Sequence, residues 1–357
     1  MFKRLAAMLL VCAVLVGSIA LYYRQNGIRS GGVFHEASGI RPDAVVMRVN
    51  GDAVTAEEYL YWLDSVCEYL ASYLGSIPDF ESAVTETMTL GQFAKEDAAH
   101  TAILYAVVRQ LAQQHGFALT AEDEEALAQQ TEQYVSYYGS YETYLQQLQL
   151  LGLSAESLRS MDEVPYLYNR MFLDYADPNG KLYPGDEALR TYGEKNGYVT
   201  AQLLYFPTTG LTETEQGHMM SIAADYAAQL QTAPDQSATY KTLAAQLGLT
   251  VSPDGLTFCS TDADTAVYEA TAALEVGQVS SVITGSSGYY VAWRIETNYS
   301  VLAEDLFNIY LQDCQDSAKV EYNNRTFDRI DAGAFYMALS EARAALASEF
   351  SGAEQNG

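Results

Sequence analysis

The spacing of apolar residues changes near Gly197, from a helical repeat to a mixture of strand and helix patterns. On the amino-terminal side the repeat is helical. Val45–Val49 is a short β-prone run ending in Asn50-Gly51, a pair suited to a tight turn. Thr55-Ala-Glu-Glu follows as a capping box in which Glu58 is expected to reach back to the N-cap backbone. Tyr59, Leu63, Val66, Leu70 and Leu74 then recur at spacings of three and four, the signature of an amphipathic helix. The same reasoning predicts helices over about 94–115 up to Gly116, from Thr120 to about Tyr138, and over 141–151 before Gly152. A longer helical segment opens at Ser154 and is expected to kink or stop at Pro165.

Beyond Gly197 the pattern is mixed. Residues 198–206 read as a strand, broken over 207–210, and Thr212-Glu-Thr-Glu opens a helix to about Gln231. A short helix over 240–247 ends at Gly248, 256–259 reads as a strand and 265–274 as a helix. Strands over 279–284 and 289–295 flank the turn Gly285-Ser-Ser-Gly288. The order β-α-α-β-α-β-β predicts an α+β domain, a small antiparallel sheet flanked by helices. After Asn298, helices over 302–317 and 334–349 flank a less regular stretch and are too short to form a core alone. They are expected to pack on the first helices. The organisation expected is a helical domain over 43–195 completed by 301–350, with the α+β domain over 196–298 between its parts.

The amino terminus bears on location. Lys3 and Arg4 precede residues 5–23, which carry no charge, and Arg24 follows. Residues 1–24 thus fit a signal anchor or a cleaved signal peptide. Ser18-Ile19-Ala20 offers a cleavage site, but the apolar run continues through Tyr23, which favours an uncleaved anchor. Positive charge at the amino end predicts export of the bulk, giving a membrane protein with one amino-terminal anchor; the alternative is secretion after cleavage. A lipoprotein attached through Cys12 is disfavoured by bulky Val11. Residues 25–42, with Gly27, Gly31, Gly32, Gly39 and Pro42, read as a flexible tether.

With 19 Lys and Arg against 46 Asp and Glu, the formal charge is −27. Such a surface repels phosphate backbones, so nucleic acid is excluded as a partner. Cys12, Cys67, Cys259 and Cys314 form no C-x-x-C pair, and His35, His100, His115 and His218 are scattered, so neither a disulfide framework nor a metal site is indicated. There is no G-x-S-x-G and no phosphate-cradling glycine loop. Tyr134, Tyr137, Tyr138, Tyr141, Tyr144, Tyr166 and Tyr168 crowd the helical region. They read either as interhelical packing or as an aromatic surface for unfolded polypeptide. Such a face, presented to a second copy, would make a homodimer.

Several stretches resemble foldases of the PrsA/SurA type. Residues 47–59, MRVNGDAVTAEEY, are similar to the opening of their chaperone domain. Residues 184–206, PGDEALRTYGEKNGYVTAQLLYF, resemble the approach to their parvulin domain, and YKTLAAQLG at 240–248 resembles a parvulin helix. LEVGQVSSVI at 274–283 with SGYYVAW at 287–293 resembles the end of that domain. The resemblance implies an extracytoplasmic peptidyl-prolyl cis-trans isomerase and chaperone acting on unfolded exported polypeptides at X-Pro segments, without cofactor or metal. It also implies a site. The two core histidines of the family fall on Gln202 and Tyr290, and a Cys or Asp position falls near Thr250. Leu256 and Tyr268 match the apolar pocket, and Ser287 a serine beside the last histidine. Both histidine positions being replaced, isomerase activity is expected to be weak or lost. The alternatives are a non-catalytic polypeptide-binding chaperone and an envelope scaffold.

Overall fold

The computed structural model describes residues 32–354. The signal segment expected at 1–24 lies outside the described residues. Among the described residues no helix is long and apolar enough to cross a membrane. The fold is α+β, mostly helical with small antiparallel sheets, and the chain separates into two compact units. One gathers the residues up to Leu173 with those from Asn308 onward, and the other spans Asp174–Phe307.

The first unit begins where a tether was expected. Gly32–Ser38 is a short helix, α1, with Val33 and Phe34 buried, so this part of 25–42 is packed chain. The ring of Phe34 lies 5.8 Å from that of Phe335. Its other neighbour is Gly152, where a Cβ would stand 2.6 Å from the ring and where φ is +74°. Only glycine meets both conditions.

Asn50 (φ 53°) and Gly51 (φ 101°) make the predicted turn, which joins β1 (Val45–Val49) to β2 (Asp52–Thr55) as a hairpin. The other edge of β1 pairs with β9 (Val320–Tyr322), from near the end of the chain. Thr55 caps α2 (Ala56–Leu74) through the Glu58 amide. The reciprocal half of the capping box is absent. The Glu58 carboxylate instead meets Arg109 on α3 (Leu90–His115) at 2.6 Å, a stronger partner than a backbone amide. Between α2 and α3, Tyr59, Leu60, Leu63 and Val66 face Ala94, Ala98 and Ala102 in the core. α13 (Ala332–Glu354) closes this core with Phe335 and Leu339 and sets Arg343 against Asp64 and Glu68 of α2.

α4 (Ala121–Tyr138) and α5 (Tyr141–Leu150) carry five of the seven tyrosines, and Tyr166 and Tyr168 lie on the helix that follows. Tyr144 and Tyr168 are buried, whereas Tyr137 and Tyr141 are 63 % and 57 % exposed. Packing and surface therefore share the cluster. α6 (Ala155–Ala176) runs uninterrupted through Pro165, contrary to the expected break. Proline in a helix interior removes one donor and crowds the preceding turn, together costing ~3 kcal/mol. Buried Met161, Val164, Tyr168 and Met171 on either side hold the helix in place.

Asp162 on α6 is partly buried. Burial, reinforced by Glu163 and opposed by Arg159, pushes its carboxyl up to about 6. The folded chain thus binds this proton more tightly than the unfolded chain does. The stabilisation is complete below the ordinary carboxylate range and is lost as pH rises through about 6. Asp162→Asn is expected to stabilise the chain by about 1–2 kcal/mol at pH ~7.5 and by nearly nothing at pH ~4. Urea titrations of parent and variant at the two pH values measure this; an equal gain at both would remove Asp162 as the cause.

In the second unit, α7 (Asp186–Lys195) leads into β5 (Val199–Pro207). α8 (Glu213–Thr232), closed by the predicted Thr212/Glu215 capping box, and α9 (Gln236–Gln246) follow. β6 (Leu256–Phe258), α10 (Thr265–Ala272), β7 (Ile283–Thr284) and β8 (Gly288–Ile295) complete the order read from the sequence. The sheet is antiparallel in the order β6-β5-β8-β7. β7 is shorter than the strand expected over 279–284. Only Val279 makes a further bridge, to Trp293, and Ser280 exchanges hydrogen bonds with Ala292. Leu204, Phe206 and Val291 pack under α8 and α9; Val199, Ala201 and Ala292 pack on the opposite face with Val267 of α10. After β8 come a 3-10 turn (Tyr299–Leu302) and α11 (Ala303–Asp316).

Candidate functional site

Register decides which candidate residues meet. Along a strand, neighbouring side chains point to opposite faces, and directly opposed residues of paired strands share a face. Gln202 stands opposite Trp293 and Leu204 opposite Val291, which places Gln202 on the face covered by α8 and α9. It is buried there, and its amide donates to the Ser252 carbonyl at 2.7 Å and the Pro253 carbonyl at 3.4 Å. Gln202 thus pins the loop after α9. Tyr290 stands opposite Tyr205, on the α10 face. The sheet lies between Gln202 and Tyr290, so the polar centre expected from the pair is not assembled. On β5 the neighbour of Gln202 that shares the face of Tyr290 is Leu203, two residues before Tyr205.

Thr250 is exposed in the loop after α9, and its neighbours Leu249 and Val251 pack against the cluster under α8 and α9. It too lies away from Tyr290. Leu256 stands opposite Ala201 on the α10 face but at the sheet edge, 55 % exposed. Tyr268 packs against the α10-face cluster, its hydroxyl donating to the Gly197 carbonyl at 3.0 Å. The Ser287 hydroxyl lies 2.9 Å from the Tyr290 hydroxyl. Tyr290, Ser287, Tyr268 and Leu256 therefore belong to one side of the sheet, and Gln202 and Thr250 to the other.

Two residues of this face escaped the sequence reading, Leu203 and Tyr205. The Tyr205 and Tyr290 rings stack at 4.9 Å with planes 29° apart. Tyr205 donates to the Ser287 carbonyl at 3.1 Å, so both phenols end at the same serine. Two glycines allow this. A Cβ on Gly288 would lie 2.3 Å from the Phe206 carbonyl oxygen, and one on Gly285 would lie 2.7 Å from the Tyr290 ring. The result is a half-exposed aromatic shelf with fixed hydroxyls, bordered by Leu203 and Tyr268. It can bury an apolar ring and donate or accept hydrogen bonds at one end.

The only histidine of this unit, His218, is exposed on α8, which covers the other face. Among the described residues no group of His, Cys, Asp and Glu is placed to hold a metal ion, and Cys67, Cys259 and Cys314 are free thiols. Cys259 is buried, its sulfur 3.2 Å from the Asp262 carboxylate.

The architecture is α+β, and its structural neighbours are PrsA foldases and SurA-like chaperones over most of the chain, at low sequence identity. The foldase protein PrsA of Streptococcus pneumoniae is 20 % identical with a TM-score of 0.27, over 75 % of this chain and 93 % of that one. PrsA of Lactococcus lactis is 16 % identical with a TM-score of 0.28, over 86 % and 98 %. A SurA-like chaperone of Campylobacter jejuni is 17 % identical with a TM-score of 0.21, over 78 % and 100 %. No protein-family model and no curated protein matches the chain. Similarity at this level says nothing about activity.

Proposed function

We propose that this chain is an extracytoplasmic folding factor that binds unfolded exported polypeptide, with the α10 face of its second unit as a site for proline-containing segments. The observation that carries the reading is the Tyr205–Tyr290 shelf tied to Ser287. It offers aromatic area to a proline ring and hydroxyls to a peptide group, with no imidazole on that face. The resemblance of 274–293 to the end of a parvulin domain supports the same assignment. A catalyst of X-Pro rotation must favour the twisted amide over both planar forms against a barrier of ~18–20 kcal/mol. The shelf provides binding area and lacks the paired histidines that the family resemblance places at that centre, so the reading is binding with little or no isomerisation. The amino-terminal charge pattern supports attachment to the outer side of the cell membrane.

The test is the cis-to-trans rate of a short Xaa-Pro peptide with the full chain, beside a Leu203→His/Tyr290→His variant and a binding titration of the same peptide. The expected result is binding that Tyr290→Ala weakens at least ~5-fold, about the worth of one aromatic contact, and no acceleration by the parent chain. Strong acceleration by the parent would replace this reading with that of an isomerase. Absence of binding by the parent would remove the site.

A further inference from the structure

On the α10 face the Asp264 carboxylate stands beside the aromatic shelf without an ion-pair partner among the described residues. A Cβ built on Gly285 would lie 2.7 Å from the edge of the Tyr290 ring and 3.5 Å from the Asp264 carboxyl carbon. The carboxylate and the ring edge therefore both border Gly285, whose missing side chain leaves them close together. Asp264 is held there by two contacts: it caps α10 by accepting from the Ala266 amide at 3.0 Å, and it accepts from the amide of Ser286, in the turn that leads into β8, at 2.8 Å. Hydrogen bonds from Ser286 hold its carboxyl below the usual carboxylate range, so it is charged throughout the neutral range. Among the described residues it has no Lys or Arg in an ion pair.

The surroundings reinforce the sign. Residues 242–293 contain five Asp and Glu and no Lys or Arg. Of the two cations that bracket this stretch, Lys241 lies on α9, which packs on the opposite face, and Arg294 turns its guanidinium to the carbonyls of Ala272 and Leu274 at 2.7 and 2.6 Å. A polypeptide on the shelf thus meets an aromatic surface with a fixed anion at its rim. A guanidinium or ammonium there gains from the ring quadrupole and from the carboxylate together, and a carboxylate gains from neither.

We propose that Asp264 makes this face selective for polypeptide segments that carry Arg or Lys beside the proline. The selectivity rests on the reading of the face as a polypeptide site. Asp264 is a specificity residue: an acidic or neutral segment meets the same shelf without the ionic contact.

The experiment is fluorescence anisotropy with the full chain and three short peptides differing only in the residue before proline, which is Arg, Ala or Glu. The Arg peptide is expected to bind about 5- to 10-fold tighter than the Ala peptide at ~0.05 M salt, and the Glu peptide weaker than both. At ~0.5 M salt the Arg preference should shrink to ~2-fold, as a screened, half-exposed charge requires. Asp264→Asn retains an oxygen for the helix cap and is expected to reduce the preference, read as the ratio of Arg-peptide to Ala-peptide affinity in the same variant, to ~2-fold. Equal binding of the three peptides by the parent would overturn the cationic preference and leave the shelf as a binding site. Preference retained in Asp264→Asn would overturn the role of that residue. Failure of all three to bind would overturn the polypeptide reading itself and the preference with it.

Discussion

Arg343→Ala is expected to destabilise the first unit by about 3–5 kcal/mol, the cost of leaving buried charge without its partner. Arg343 on α13 donates to Asp64 at 2.6 Å and to Glu68 at 3.1 Å on α2, with side-chain exposures of 11 %, 6 % and 28 %. Truncation leaves two carboxylates facing each other across one turn of a helix. Burial and the neighbouring Asp64 already push the Glu68 carboxyl up, and the cation opposes that shift. Removing all three charges at once, as Arg343→Met with Asp64→Leu and Glu68→Met, is expected to leave stability within ~1 kcal/mol of the parent or above it. Urea titration of the parent and both variants decides the matter. A loss below ~1 kcal/mol for Arg343→Ala would mean that solvent reaches the carboxylates, and the ion pair would rank with ordinary surface pairs.

Phe206→Ala should cost the second unit about 3–5 kcal/mol, as for a fully enclosed aromatic. Phe206 is wholly buried on the face under α8 and α9, its ring 5.5 Å from that of Tyr226 and nearly perpendicular to it. It is surrounded by Ala223, Ala227 and Leu230 of α8 and by Val291 of β8. Its carbonyl is the atom that excludes a side chain at Gly288, where β8 begins. The substitution keeps that carbonyl but removes the ring that packs with Val291, and so loosens the strand that carries Tyr290 from the other side of the sheet. Tyr290→Ala, at a half-exposed position, is expected to lower stability by less than Phe206→Ala and binding by more. Thermal unfolding together with peptide titration separates the two, and equal stability losses would show that Tyr290 belongs to the core.

The element order of the second unit was legible because its punctuation is local. Thr212 with Glu215, the glycines at 248 and 285, and the apolar runs each act within a few residues. The faces of the sheet were not legible. Gln202, Leu203, Leu204, Tyr205 and Phe206 all lie in one run, and the sheet is covered on both sides, so alternation leaves no polar stripe to read. A shift of one residue exchanges the faces, and that shift separates Gln202 from the site and admits Leu203. Glu58 shows another limit. Its spacing from Thr55 fits a capping box, but Arg109 lies 51 residues away and wins the carboxylate. Pro165 failed as a helix stop for the same reason, since packing on both sides of it is a property of the folded unit. The turn at 285–288 was legible, but the hydrogen bond from its Ser286 amide that brings the Asp264 carboxylate beside Tyr290 spans 22 residues, which no local pattern specifies.

The pairing of β1 with β9 sets a schedule for the newborn chain. Asn50 receives the Lys319 amide across 269 residues, and the small sheet at the start of the first unit has one edge open until that segment arrives. The second unit, Asp174–Phe307, is continuous in sequence and holds every strand of its own sheet. A chain emerging from its amino end can thus finish the later-encoded sheet while the earlier one is still incomplete. Until residues 320–322 pair with β1 and α13 closes over α2, that strand edge and the apolar side chains of α2 stand exposed, and the nascent chain presents a sticky surface of its own.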